Sequence, residues 1–161
     1  MEGSDFSDSN LIKSRIEGSN IVNSHFRECS LQEIHFKGSH IKGCDFFGAD
    51  FTGAVVESSA LLKNKVYGAV WSNTTFRNTQ FGDVVFEGSF TDCSFENCKF
   101  VRVTFQNATF TNTFFKNNSL KKIRFLDCEA DNLTYAFLKN GKVDMTGISL
   151  ISIDNEDESN P

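Results

Sequence analysis

The sequence predicts a repeat architecture rather than an irregular globule, and three observations carry that prediction. A large apolar residue recurs at every fifth position, a small residue recurs two places ahead of it, and proline occurs only once, at Pro161. A chain whose loops contain no proline must turn by some regular means, and its 11 Gly and abundant Ser, Asn and Thr supply one. The 161 residues suffice for one domain with a real core. With 39% hydrophobic and 23% charged residues, the composition is that of a folded chain rather than a disordered one.

Counting in fives from Phe6 gives Leu11, Ile16, Ile21, Phe26, Leu31, Phe36, Ile41, Phe46, Phe51, Val56, Leu61, Val66, Trp71, Phe76, Phe81 and Phe86, which is 17 large apolar residues without a miss. One residue is then skipped near Gly88. The count resumes at Phe90 and runs through Phe95, Phe100, Phe105, Phe110, Phe115, Leu120 and Phe125, fading at Ala130 and Tyr135. Most of the 18 Phe are thereby explained. Two residues ahead of most of them stands a small one, such as Ser4, Ser24, Cys44, Ala54, Cys93 or Thr113, as an inward position with little room requires. A period of five fits neither an amphipathic helix nor a half-buried strand. Repeats of this kind must stack to bury a core.

The segments Cys44-Asp45-Phe46-Phe47-Gly48 and Ala49-Asp50-Phe51-Thr52-Gly53 are near-consensus copies of the motif of the pentapeptide-repeat family, which the chain resembles over about residues 4–135. The resemblance implies an all-β fold, a right-handed quadrilateral parallel β-helix. It would have about six to seven coils of about 20 residues, stacked as a solenoid and closed by a short C-terminal cap. Residues 1–135 would form this β-helix. Asn64 falls at a small inward position, so a loop or distorted coil is expected at 61–72. Residues 136–153 are expected to be the cap and a last strand, with the Asn140-Gly141 pair marking a turn. Residues 154–161 are expected to form a disordered acidic tail.

Residues 20 apart should share a side of such a coil. On one side the outward residues Glu17, Lys37, Glu57, Arg77, Glu96 and Lys116 alternate in sign at every step, a structural charge ladder. Another side leans basic: Lys42, Lys63, Lys99, Arg102, Lys121 and Lys122 stand against Asp83 alone, a candidate stripe for an anionic partner. The formal net charge of −5 belongs mostly to the tail, because residues 1–153 hold 17 acids against 16 bases.

Little in the sequence points to catalysis, a cofactor or a metal. The cysteines Cys29, Cys44, Cys93, Cys98 and Cys128 are odd in number, lack CxxC spacing and fall on the inward position, as buried core thiols do. His25, His35 and His40 fall on three different sides and cannot converge. No Ser sits in a GxSxG motif, and a solid rod offers no concave pocket. The chain is therefore read as non-enzymatic, a protein-interaction rod or scaffold that binds another macromolecule through its flat faces or edges. Two alternatives follow from resemblance. Some family members mimic DNA and protect or inhibit topoisomerases such as gyrase, which asks for a strongly acidic rod. The Phe- and Asn-rich half, including Thr109–Asn117, is similar to the lumenal domain of synaptic vesicle glycoprotein 2. Sequons at Asn73, Asn107, Asn117 and Asn132 fit that second alternative, whereas unpaired thiols fit a cytoplasmic setting. The expected partner is a protein. Direct nucleic-acid binding and a membrane span are not expected, and a homodimer through a terminal edge stays open.

Overall fold

Each five-residue repeat makes one side of a square, and four sides close a coil. The structure, a computed structural model, describes residues 1–120 and 122–151. Side one is centred on Phe6, Phe26, Phe46, Val66, Phe86, Phe105 and Phe125. Side two is centred on Leu11, Leu31, Phe51, Trp71, Phe90 and Phe110. Side three carries six parallel strands, Arg15–Glu17, His35–Lys37, Val55–Glu57, Thr75–Arg77, Ser94–Glu96 and Phe114–Lys116, paired in that order. Side four begins with Asn20–Val22, His40–Lys42 and Ala60–Leu62. It continues into the longer strands Gln80–Thr91 and Lys99–Thr111, which bend around the corners into sides one and two. The result is a parallel β-solenoid of about 7 turns.

The ladders explain why proline is absent. Phe6 N donates to His25 O at 2.7 Å and His25 N donates to Ser4 O at 2.8 Å, and this pairing recurs from coil to coil. A proline at such a position would remove one of these donors. Corners are turned by residues in the left-handed region, such as Asn73, Asn78, Asn107 and Asn117 with φ between 47° and 54°. Asn tolerates that region better than most side chains.

Inside, the rings stack along the rod axis. Phe6 lies on Phe26 at 5.1 Å and Phe26 on Phe46 at 4.9 Å, and Phe86 on Phe105 at 5.0 Å. Similar columns join Phe76, Phe95 and Phe115, and Phe81 with Phe100. Such pairs add to the burial itself. The inward small position does more than save space. Thr113 Oγ1 donates to Phe90 O in the preceding coil at 3.0 Å, and Ser59 Oγ accepts from Ser39 N at 3.1 Å. Hydroxyls at these positions tie adjacent coils together.

Residues 61–72, where a loop or distorted coil was expected, keep the 20-residue register: Asp45 pairs with Lys65 and Asp50 with Val70. Asn64 is buried and serves as a rung. Its Oδ1 accepts from Cys44 N at 2.9 Å and its Nδ2 donates to Ile41 O at 3.0 Å. Asn118 repeats the arrangement with Cys98 N and Phe95 O. The skipped residue is lost from the corner at Gly88, which takes φ +91°. The pairing offset changes there, between Phe105 opposite Phe86 and Ala108 opposite Gly88.

At the C-terminal end a helix, Asn132–Asn140, lies across the last coil. It begins inside the span expected to be repeat, so Tyr135 is helical rather than a coil centre. Asp131 caps it, accepting from Thr134 N at 2.9 Å. Leu138 is fully buried, and Phe137 meets Phe114 edge-on at 5.4 Å. The strand Ile148–Leu150 then pairs with Cys128–Ala130, resuming the register of 20 across the helix. Ser152 and Ile153, expected to continue this strand, lie outside the described residues, as do the acidic tail 154–161 and Lys121.

Candidate interaction surface

Variable chemistry is confined to the outside of the rod, in columns that repeat once per coil. The charge-ladder residues fall in one such column on side three. The strand register sets Glu17 opposite Lys37, Lys37 opposite Glu57, Glu57 opposite Arg77, Arg77 opposite Glu96 and Glu96 opposite Lys116. Two of these steps close to ion-pair distance, Lys37 to Glu57 at 3.9 Å and Arg77 to Glu96 at 3.8 Å. Glu57 also bonds His35 Nε2 at 2.9 Å, and Glu17 bonds Arg15 at 2.8 Å. The hydrogen bond from Arg15, helped by its charge, holds the Glu17 carboxyl below the usual carboxylate range.

A second alternating column, not singled out from the sequence, runs along side one through Asp5, His25, Asp45 and Lys65, each bridged to the next. Arg27 donates to Asp45 at 2.9 Å. Burial pulls the Asp45 carboxyl up, but the Phe47 amide and Arg27 outweigh it and leave the pKa lowered. The signal was available in the residue ahead of each central Phe or Val.

The basic stripe separates into two sets. Lys42 and Lys99 are exposed on the flat of side four, and Lys63, Arg102 and Lys122 share the adjoining corner column with Asp83. Arg102 grips Asp83 with two bonds, Nε to Oδ1 at 2.6 Å and a second nitrogen to Oδ2 at 3.1 Å. This pairing lowers the Asp83 pKa and raises that of Arg102. It also divides the column into Lys63 on one side and Lys122 on the other. Near the C-terminal end, Arg102, Lys122 and Arg124 line a groove of about 530 Å³ with Val103, Thr104, Ile123 and Asp144. A second hollow of about 420 Å³ opens beside the helix, floored by Phe115, Leu120 and Phe137. A plain rod was expected to have no concavity; these hollows form where the helix and the turn after it meet the coils. Arg124, missed by the sequence reading, contributes to the groove because side one of the last coil is left partly uncovered.

The five cysteines are free and buried. Burial pushes the Cys98 thiol up to about 11. The histidines stand on sides one, three and four, apart from one another. No helix among the described residues is long and apolar enough to cross a membrane.

Against known families, residues 19–57 match the model of pentapeptide repeats, in 8 copies. The chain is a pentapeptide-repeat protein. Residues 60–135 of this pentapeptide-repeat chain also match the SV2A/B/C luminal domain. Among solved structures it is similar to QnrB1, a plasmid-mediated fluoroquinolone resistance protein, at TM-score 0.63 and 19% identity over 98% of this chain and 81% of that one. HetL from the cyanobacterium Nostoc, involved in heterocyst differentiation regulation, aligns at TM-score 0.42 and 11% identity over 78% of this chain and 68% of that one. A pentapeptide repeat protein of the Arabidopsis thaliana thylakoid lumen aligns at TM-score 0.29 and 22% identity over 91% and 80%. At these identities the likeness concerns the fold alone. No curated protein matches the chain significantly.

Proposed function

We propose that this pentapeptide-repeat rod is a non-enzymatic interaction module whose basic corner binds an anionic protein surface. The supporting observation is the groove in which Lys122, Arg124 and Arg102, the last already paired with Asp83, face one further acid, Asp144. Lys63, Lys99 and Lys42 extend the same sign toward the N-terminal half, and Lys121 is counted with them from the sequence. Such a patch draws anions by long-range attraction that salt screens. A titration with a poly-glutamate peptide at rising salt tests the reading. The expected result is binding that weakens steeply with salt, and that falls at least tenfold in a Lys122→Glu/Arg124→Glu variant. No binding at low salt overturns it.

The same corner counts against DNA mimicry, which needs acidic sides. No effect in a gyrase supercoiling assay is the expected result.

A second reading, that of a lumenal recognition domain, is favoured by the luminal-domain match over 60–135. It also draws on the exposed Asn73, Asn107, Asn117 and Asn132, which begin the four sequons. Expression through a secretory pathway followed by N-glycosidase treatment tests it. A gain in gel mobility supports the reading and an unchanged band opposes it.

A further inference from the structure

Most exposed large apolar side chains lie at the two ends of the rod, but three stand together in its middle. Phe47 and Tyr67, 39% and 42% exposed, occupy one column of side one in consecutive coils. Val70, 47% exposed, stands on side two in the column of Asp50, to which it is bridged. The corner between them carries no side chain, because it is built from Gly48 and Gly68 at φ +67° and +69°. A Cβ at Gly68 would lie 3.9 Å from Phe47 Cε2, so ring and bare backbone form one surface. Gly88 continues the corner by one more coil. This makes a shallow shelf two strand spacings long, roughly 10 Å, the span of about three extended residues.

Its rim is acidic. Glu28 folds over Gly48, where a Cβ would meet its carboxylate at 2.6 Å. Asp50 precedes Val70 in its column, and Glu87 follows Tyr67 by twenty residues. Arg27 stacks on Phe47, 4.6 Å from the ring centroid, and is tied to Asp45, which also faces Lys65. The two bases are thus outnumbered by four acids, and the aromatic faces themselves attract cations. Exposed aromatic side chains of this kind anchor protein interfaces.

We propose that this corner docks an extended segment of another protein that carries an apolar side chain flanked by Lys or Arg. The apolar group sits on Gly68 between Tyr67 and Val70, and the cations lie beside the Tyr67 ring and the carboxylates of Glu28, Asp50 and Glu87. The surface is separate from the basic groove, so either stands if the other fails.

The test titrates the isotope-labelled full chain with two eight-residue peptides of equal charge, one alternating Lys and Leu, the other Lys and Ser. The expected result is that the Lys/Leu peptide shifts the amide resonances of Gly48 and Gly68 and binds at least tenfold tighter than the Lys/Ser peptide. A Phe47→Ser/Tyr67→Ser variant, whose melting curve checks that it folds, loses that advantage. A Glu28→Lys/Glu87→Lys variant weakens both peptides. Equal binding of the two peptides, shifts elsewhere on the rod, or an unaffected serine variant overturns the proposal. So does self-association of the chain that the serine variant abolishes, which assigns the shelf to a second copy.

Discussion

Trp71 and Phe90 stack with ring centroids 5.7 Å apart and 6° between their planes, although nineteen residues separate them where other coils use twenty. The missing residue comes from the corner at Gly88, so no central side chain leaves its column. Inserting one Asn between Glu87 and Gly88 is expected to cost less than about 1 kcal/mol, because corners absorb length as loops do. Inserting it between Ser94 and Phe95 turns every later residue of that side over, and the downstream coils are expected to lose cooperative melting. Thermal unfolding followed by circular dichroism separates the two outcomes.

Asn64 is expected to be the least replaceable polar residue in the interior. Asn64→Leu leaves the Cys44 N–H buried without a partner, at about 1–3 kcal/mol, and removes a second bond to Ile41 C=O. Asn64→Ser is expected to fall between this and the parent chain, since Ser24, Ser39 and Ser59 bridge coils at equivalent positions. Denaturant midpoints of the three chains give the order.

Reversing one member of the side-three ladder should cost more than a surface charge ordinarily does. Glu57→Lys sets a base between Lys37 and Arg77 and removes the partner of His35. A loss of about 1 kcal/mol is expected at low salt, shrinking as salt rises, because Lys37 is well exposed and screened. Equal melting temperatures at low salt would contradict the ladder's contribution.

Stability should fall at both ends of the pH scale for different reasons. Burial raises the carboxyls of Asp50 and Asp131, but their hydrogen bonds outweigh it and leave both pKa values lowered, as at Asp45. A lowered carboxylate stabilises the fold fully above its unfolded pKa near 4 and ceases to do so as pH drops through the folded value. At the other end Cys98, raised from 9.0 to about 11, favours the fold fully below pH 9 and loses that contribution as pH climbs toward 11. Melting temperatures across the range should form a plateau with both shoulders. Cys98→Ala is expected to lessen the alkaline one without removing it, because burial also raises Cys29, Cys44, Cys93 and Cys128, and thiol labelling of the native chain should proceed no faster than unfolding.

The coil was legible because it repeats. Each central Phe and each inward Ser or Cys states the same requirement again, so single departures do not hide it. Pattern alone misleads where a residue satisfies the count for another reason. Tyr135 keeps the interval of five yet belongs to the helix, and the signal for that was local: Asp131, a favoured helix N-cap, stands just ahead of it. Asn64 looked misplaced because the inward position was read as small, while its second requirement, a donor and acceptor reaching the adjacent coil, shows only in three dimensions. The surfaces were least legible of all. Arg124 joins Arg102 and Lys122 because coils stack, and Gly48 and Gly68 matter because of what stands beside them.

Four units of five close one coil, and this has a consequence for how such a rod can change. Gaining or losing a single repeat leaves every ring in a central position and every small residue inward. Everything downstream, however, turns by a quarter revolution against everything upstream. Glu57 would then face a different column from Arg77, and the Phe47–Tyr67 pair would be split if the change fell between them. The outside therefore behaves like the rings of a combination lock: the interior sets the click, and duplication in steps of five can dial one surface pattern past another without disturbing the core.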